Sequence, residues 1–327
     1  MRIFVTGASG VIGSRVVPAL LAAGHQVTAV ARSAAKSEAL ERTGATVRSV
    51  DLFAPAELRA AVAGHDVVIN LATHMPPMTF RMFIPGAWRE NDRIRRTASA
   101  NLVDAALAAG ATRFVQESFA PIYPDNGDAW IDEGIPLRPV RYNRTVLDAE
   151  ASARRFTDSG GGAGVVLRFA AFYGPDAGQL GVMAALIRRG WMPLLGPAHS
   201  YMSSVSHDDA AAAVVAALDV PAGVYNVSDD EPLRHRAFAD ALADALVVPR
   251  PRLPPAWAAY LAGGMGNLLA RSQRVSNAKL RAATGWAPSY RSVREGFPAV
   301  VGAFPRQPQR RRGEAAVRAE SRSAARS

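Results

Sequence analysis

Thr6-Gly7-Ala8-Ser9-Gly10-Val11-Ile12-Gly13 decides the fold of this 327-residue chain. It follows an apolar run, Ile3–Thr6, and leads into a helical pattern over Val11–Ala23, so strand, tight turn and helix come in succession. Gly7 permits the turn, Gly10 lets the backbone approach a pyrophosphate, and Gly13 lets the helix pack closely on the sheet. The N–H groups around Ser9, Val11 and Ile12 then stand at a helix start, where backbone donors and the dipole favour phosphate.

The same alternation continues outward. Strands are predicted at Gln26–Ala31, Thr46–Val50, Asp66–Leu71, from Arg113 through Gln116, and at Gly164–Phe169. Helices are predicted at Ser33–Arg42, Pro55–Ala63, Ala98–Ala109 and Arg141–Thr157. Continuous apolar strands separated by helices mean a parallel sheet covered on both faces. Right-handed crossovers make it a doubly wound, Rossmann-type α/β sheet. The expected domains are 1–170, with 204–227 returning to the sheet, and a smaller α/β substrate-binding region from 171–203 and 228–303.

Composition removes several alternatives. Hydrophobic residues at 49% and charged residues at 20% are an ordinary globular mixture. With no cysteine there is no disulfide framework, thiolate nucleophile or cysteine-ligated metal, and no histidine spacing suggests another metal site. The first residues enter a strand directly and no apolar run is long enough to span a bilayer, so a cytoplasmic protein without a membrane partner is expected. The net charge of +10 is local: Pro305–Ser327 carries seven Arg and two Glu, half of the excess. That stretch, from 304 on, reads as a disordered Arg-rich tail, and no nucleic-acid partner is expected.

The cofactor is a dinucleotide, and the end of the second strand selects which. Val30-Ala31-Arg32-Ser33, with Lys36 a turn later, offers no carboxylate for a ribose 2′-hydroxyl and two cations for a 2′-phosphate. NADP is expected, with NAD as the alternative. Asp51, followed by Leu52, closes the third strand as an adenine contact or as the N-cap of the next helix. Leu71, Ala72 and Thr73 close the fourth strand at the same cleft.

The chain resembles the extended short-chain dehydrogenase/reductases, the superfamily of NAD-dependent epimerases and dehydratases. The resemblance rests on the glycine turn, Asn70-Leu71-Ala72, Val166-Leu167-Arg168 leading to Tyr173-Gly174-Pro175, and Val205-Ser206-His207-Asp208-Asp209. Gly223-Val224-Tyr225-Asn226-Val227 and Thr284-Gly285-Trp286-Ala287-Pro288 complete it over residues 1–302. It implies a catalytic Tyr, a Lys four residues on that lowers the phenol's pKa, and a Ser or Thr at the end of the fifth strand. Tyr142 matches the Tyr and would also touch the cofactor. The Lys position is Val146, and the two lysines, Lys36 and Lys279, lie elsewhere. The Ser position holds Phe119, with Ser118 one residue earlier. A free phenol titrates near 10, so the missing cation bears directly on the chemistry.

Met202 stands where nucleotide-sugar enzymes of the superfamily carry a phosphate-binding Arg. The expected substrate is therefore an uncharged or lipophilic small molecule, with Met75, Met78, Phe80, Met82, Phe83 and Trp88 as its apolar wall or as plain core. His74, at the cleft edge, is a further acid–base candidate beside Tyr142 and Ser118, and His207 reads as structural. The reading is an NAD(P)(H)-dependent oxidoreductase of the extended short-chain type, a reductase acting on a small carbonyl or alcohol substrate. The alternatives are a non-catalytic NADP(H)-binding module and an epimerase or dehydratase that holds its NAD(P) tightly. The resemblance also implies a homodimer through the helices at about 88–109 and 141–157.

Overall fold

The computed structural model describes residues 1–76, 80–176 and 178–304, apart from the side chain of Phe80. The tail from Pro305, and Met78 in the expected apolar wall, lie outside the described residues. The central strands are β1 (Arg2–Thr6), β2 (Gln26–Val30), β3 (Thr46–Arg48), β4 (Val67–Asn70) and β5 (Arg113–Phe119). The short β6 (Trp130–Ile131) precedes β7 (Ala163–Phe169), β8 (Ala171–Tyr173), β9 (Tyr201–Met202), β10 (Ser204–Ser206) and β11 (Gly223–Val227). Seven of these form one parallel sheet in the order β11-β7-β5-β4-β1-β2-β3.

Both faces of that sheet are buried, which is why its strands read as continuous apolar runs. Ile3 and Val5 pack under Val16, Val17 and Leu20 of α1 (Gly13–Ala22) and under Ala213 and Val214 of α8 (His207–Ala216). Phe4 faces the other way, towards Leu58 and Val62 of α3 (Pro55–Val62) and Leu102 of α5 (Ser99–Ala108). Between α1 and α3, α2 (Ala34–Glu41) covers the β3 edge.

Two helices differ from the sequence reading. The fourth crossover begins earlier, with α4 (Arg89–Arg93) and a π turn at Ile94–Ala98 running on into α5. Its Asn-Asp-Arg and Arg-Arg-Thr stretches hid the apolar period. The helix expected from Arg141 instead starts at α6 (Val146–Asp158). Residues 141–145 form turns, held where the Asn143 side chain accepts from the Val140 N–H (2.8 Å) and Thr145 Oγ1 donates to Asp92 (2.8 Å).

The rest of the chain packs at the C-terminal ends of the strands. There α7 (Gly178–Ile187), α9 (His235–Ala245) and α13 (Val293–Gly302) bury Met183, Ile187, Phe238, Leu242, Phe297 and Val300 together. β8 pairs with β10, β9 with β12 (Leu233–Arg234), and β6 with β13 (Arg274–Val275). The connecting helices are α10 (Ala258–Leu261), α11 (Gly263–Leu269) and α12 (Ala278–Thr284). Among the described residues no helix is long and apolar enough to cross a membrane.

Candidate active site

A cavity of about 510 Å³ opens along the C-terminal ends of β1, β4, β5 and β7, between the sheet and the later helices. Gly7, Gly10, Val11, Ile12, Gly13, Leu71 and Thr73 form one end of its wall. The geometry there needs glycine. Gly7 sits at φ +70°, and a Cβ on it would run into the Leu71 carbonyl. A Cβ on Gly13 would strike the Gly7 carbonyl. The Gly10 N–H closes the turn on that same carbonyl at 2.9 Å. A bare backbone cradle at a helix start, open to a cleft, fits the pyrophosphate of a dinucleotide.

The other expected cofactor residues follow along the same edge. Ser9 is half-buried in the β1–α1 turn, while Arg32 after β2, Lys36 in α2 and Asp51 after β3 are exposed. Leu52 and Ala72 are half-buried, and the Ala72 N–H is fixed by the Asn70 side chain at 3.2 Å. Buried Asn70 also accepts from Thr6 (2.7 Å) and donates to Gln116 (2.9 Å), which locks the ends of β1, β4 and β5 together. The capping alternative for Asp51 is corrected: the N-cap of α3 is Ala54, and Asp51 instead accepts from the Phe53 N–H at 3.0 Å. Leu52, Phe53 and Ala54 separate it from Pro55, the first residue of α3.

Tyr142, Val146 and Phe119 meet in the cavity wall. Tyr142 lies in the turn before α6, its hydroxyl donating to the Phe83 carbonyl at 3.1 Å and its ring 6.0 Å from that of Trp88. Val146 is the first residue of α6 and is 1% exposed. Arg141 and Arg144 are both exposed and bring no described contact to the phenol. Met82 and Trp88 are buried and Met75 is exposed, all three in the cavity wall, whereas exposed Phe83 contributes its carbonyl to Tyr142.

Ser118 is a correction. Successive residues of a strand face opposite sides, so with Phe119 in the cavity Ser118 turns into the core. There it is fully buried and donates to Glu150 Oε1 at 2.5 Å. Glu150 in turn accepts from Arg168 at 2.8 and 2.7 Å, and Arg168 donates to Tyr123 at 2.8 Å. The hydroxyl belongs to a structural network. His74 is also displaced: its N–H is held by Asn91 at 2.9 Å, but its ring is exposed and outside the wall that Thr73 and Met75 form. His207 is the first residue of α8, after the Ser206 cap. Burial, then Arg15, push its pKa down, and its Nδ1 lies 3.6 Å from Asp176.

Among the polar wall residues that escaped the sequence reading are Arg95, Glu117, His235 and Arg271. Glu117 is two residues before Phe119, so the period of two that turns Ser118 away brings Glu117 in. Burial pushes its carboxyl above the usual range, Arg95 pulls it back, and the charge of Glu150 raises it further. It is the one carboxylate in the wall among the described residues. Arg95 reaches the site from the π turn, which no sequence period announced. His235 arrives from α9, far along the chain, and burial lowers its pKa to about 4.

The sequence profile of the NAD dependent epimerase/dehydratase family matches residues 3–228. A 3-diazoavenalumate denitrifying reductase from a Streptomyces species is 35% identical over 91% of this chain and 99% of its own length. A 2-alkyl-3-oxoalkanoate reductase from Shewanella oneidensis is 27% identical over 84% of this chain and 73% of its own. The crystal structure of the Thermus thermophilus UDP-glucose 4-epimerase complex with NAD superposes with a TM-score of 0.75, at 25% identity, covering 93% of this chain and 99% of that one. With the glycine cradle, the sheet order and the cleft already in place, the chain belongs to the NAD dependent epimerase/dehydratase family and is an oxidoreductase enzyme of the extended short-chain type.

Proposed function

We propose that this enzyme is an NADPH-dependent reductase of a small apolar acid whose acceptor group takes hydride without a tyrosine–lysine proton relay. The observation that carries the reading is the pair Val146 and Phe119. They fill the Lys and Ser positions of the superfamily, and both stand in the cavity wall. A carbonyl becomes an alkoxide as it accepts hydride, so its reduction needs a well-placed acid. A diazonium-type acceptor does not. Hydride brings the hydrogen and two electrons, a C–H bond replaces the C–N bond, and the C–N pair leaves in dinitrogen. The relative named as a denitrifying reductase acts on such a diazo compound, and both named reductases act on acids.

When bound, the nicotinamide supplies hydride. What the chain contributes is positioning and exclusion of water. The glycine cradle holds the pyrophosphate, while Phe119, Val146, Met82 and Trp88 keep the acceptor in an apolar enclosure. Tyr142 orients the loop at Phe83 through its 3.1 Å hydrogen bond. The test is anaerobic NADPH oxidation with an aryl diazonium acid and mass-spectrometric detection of dinitrogen. One dinitrogen per NADPH supports the reading, and NADPH oxidation without dinitrogen overturns it. The second reading is reduction of a 3-oxo acid with Tyr142 as proton donor, favoured by the place of that phenol in the wall.

Cofactor choice rests on Arg32 and Lys36, exposed beyond β2 with no carboxylate beside them at that strand end. A charge-assisted contact to the 2′-phosphate is worth roughly 1.5–3 kcal/mol, or about 10- to 150-fold in affinity. Calorimetric titration should therefore give NADPH that advantage over NADH, and Arg32→Ala should remove most of it. Equal affinities in the unaltered protein would contradict the assignment.

A further inference from the structure

Arg95 is the least satisfied charged group in the cavity wall. It is 3% exposed, in the π turn that interrupts the α4–α5 helix. Such a turn is a local widening that is frequent at functional sites, and here it places a guanidinium against β5. Only Nη2 is engaged, at 3.2 Å from each carboxylate oxygen of Glu117. Nε and Nη1 are buried with no hydrogen-bond partner among the described residues. Buried donors are almost always satisfied, so donors left over in a cavity wall point to a ligand that supplies the acceptor.

We propose that Arg95 binds the carboxylate of the substrate and so makes an apolar acid, rather than its neutral analogue, the preferred occupant of this cavity. The inference rests on the reading of the cavity as the substrate site of a reductase, not on which group accepts hydride. The surroundings favour one carboxylate over a diphosphate. A planar guanidinium matches a carboxylate, and Met202 offers no cation. The wall's other guanidinium, Arg271, is held on the Pro121 and Tyr123 carbonyls at 3.3 and 2.8 Å, and much of the remaining wall is apolar, with Phe119, Trp88 and Met265. Glu117 competes for the same guanidinium. It keeps Arg95 from being an uncompensated buried charge when no acid is bound, and it limits how tightly an acid is held.

The test is calorimetric binding of trans-cinnamate and trans-cinnamamide to the NADP-saturated full-length enzyme. Cinnamate is expected to bind about 10- to 100-fold more tightly than the amide. Arg95→Met should erase that difference. Glu117→Gln should raise cinnamate affinity several-fold, which a merely structural ion pair would not produce. If Arg95→Met does not fold, the double variant with Glu117→Gln removes both charges and should likewise bind acid and amide alike. Equal binding of acid and amide to the unaltered enzyme overturns the proposal, as does a foldable Arg95 variant that keeps the preference. A clear acid preference with no dinitrogen release would leave Arg95 in its role and overturn only the diazo reading.

Discussion

Glu150→Ala is expected to destabilise the enzyme by about 3–5 kcal/mol, because it leaves a buried guanidinium without its partner. Glu150 and Arg168 are 3% and 5% exposed and bonded through two contacts of 2.8 and 2.7 Å. Ser118 loses its acceptor in the same step, and Arg168 keeps only Tyr123 at 2.8 Å. The network ties α6 and β7 to β5, the strand that carries Glu117 and Phe119 to the cavity. Thermal denaturation should show a fall on the order of 10 °C. Ser118→Ala should cost far less, about 1–2 kcal/mol, since it removes one neutral donor. A Glu150→Ala protein as stable as the unaltered enzyme would contradict the network's role.

Acid should destabilise the fold through His235. This ring is 2% exposed, its Nδ1 has no described partner, and burial lowers its pKa from 6.5 to about 4, the backbone at Pro197 opposing and His199 assisting. Between those values the unfolded chain binds a proton that the folded chain does not. Stability therefore rises with pH across the window and is lost as pH falls from about 6.5 towards 4. The full shift corresponds to roughly 3 kcal/mol. Urea denaturation at pH 7 and pH 4.5 should show the loss, and His235→Gln should flatten it. An unchanged pH slope in that variant would assign the acid sensitivity elsewhere.

The sheet was legible in the sequence because each strand is a short apolar run bounded by turn residues, and burial on both faces leaves little else for Phe4 or Val68 to do. The glycine cradle was equally legible, since the three glycines fall within seven residues between a strand and a helix, and Gly13 answers the Gly7 carbonyl in that same stretch. The wall of the cavity was not. Tyr142, Val146 and Phe119 were found by alignment to a pattern this chain has partly lost. Ser118 was misplaced because a one-residue step on a strand reverses the side chain, the same geometry that concealed Glu117. Arg95 needed the π turn, and His235 needed long-range packing of α9 across the cleft. Neither leaves a local period to read.

The central claim is that hydride reaches the acceptor here without the superfamily's tyrosine–lysine–serine relay. Tyr142→Phe tests it most directly, because it removes the phenol's proton and its 3.1 Å bond to the Phe83 carbonyl but keeps the ring against Trp88. The measurement is kcat/KM for NADPH-dependent loss of dinitrogen from an aryl diazonium acid, in the unaltered enzyme and in this variant. The account predicts values within about threefold, whereas loss of a general acid costs roughly 10²- to 10⁴-fold. A drop of that size would return Tyr142 to the catalytic centre and contradict the account.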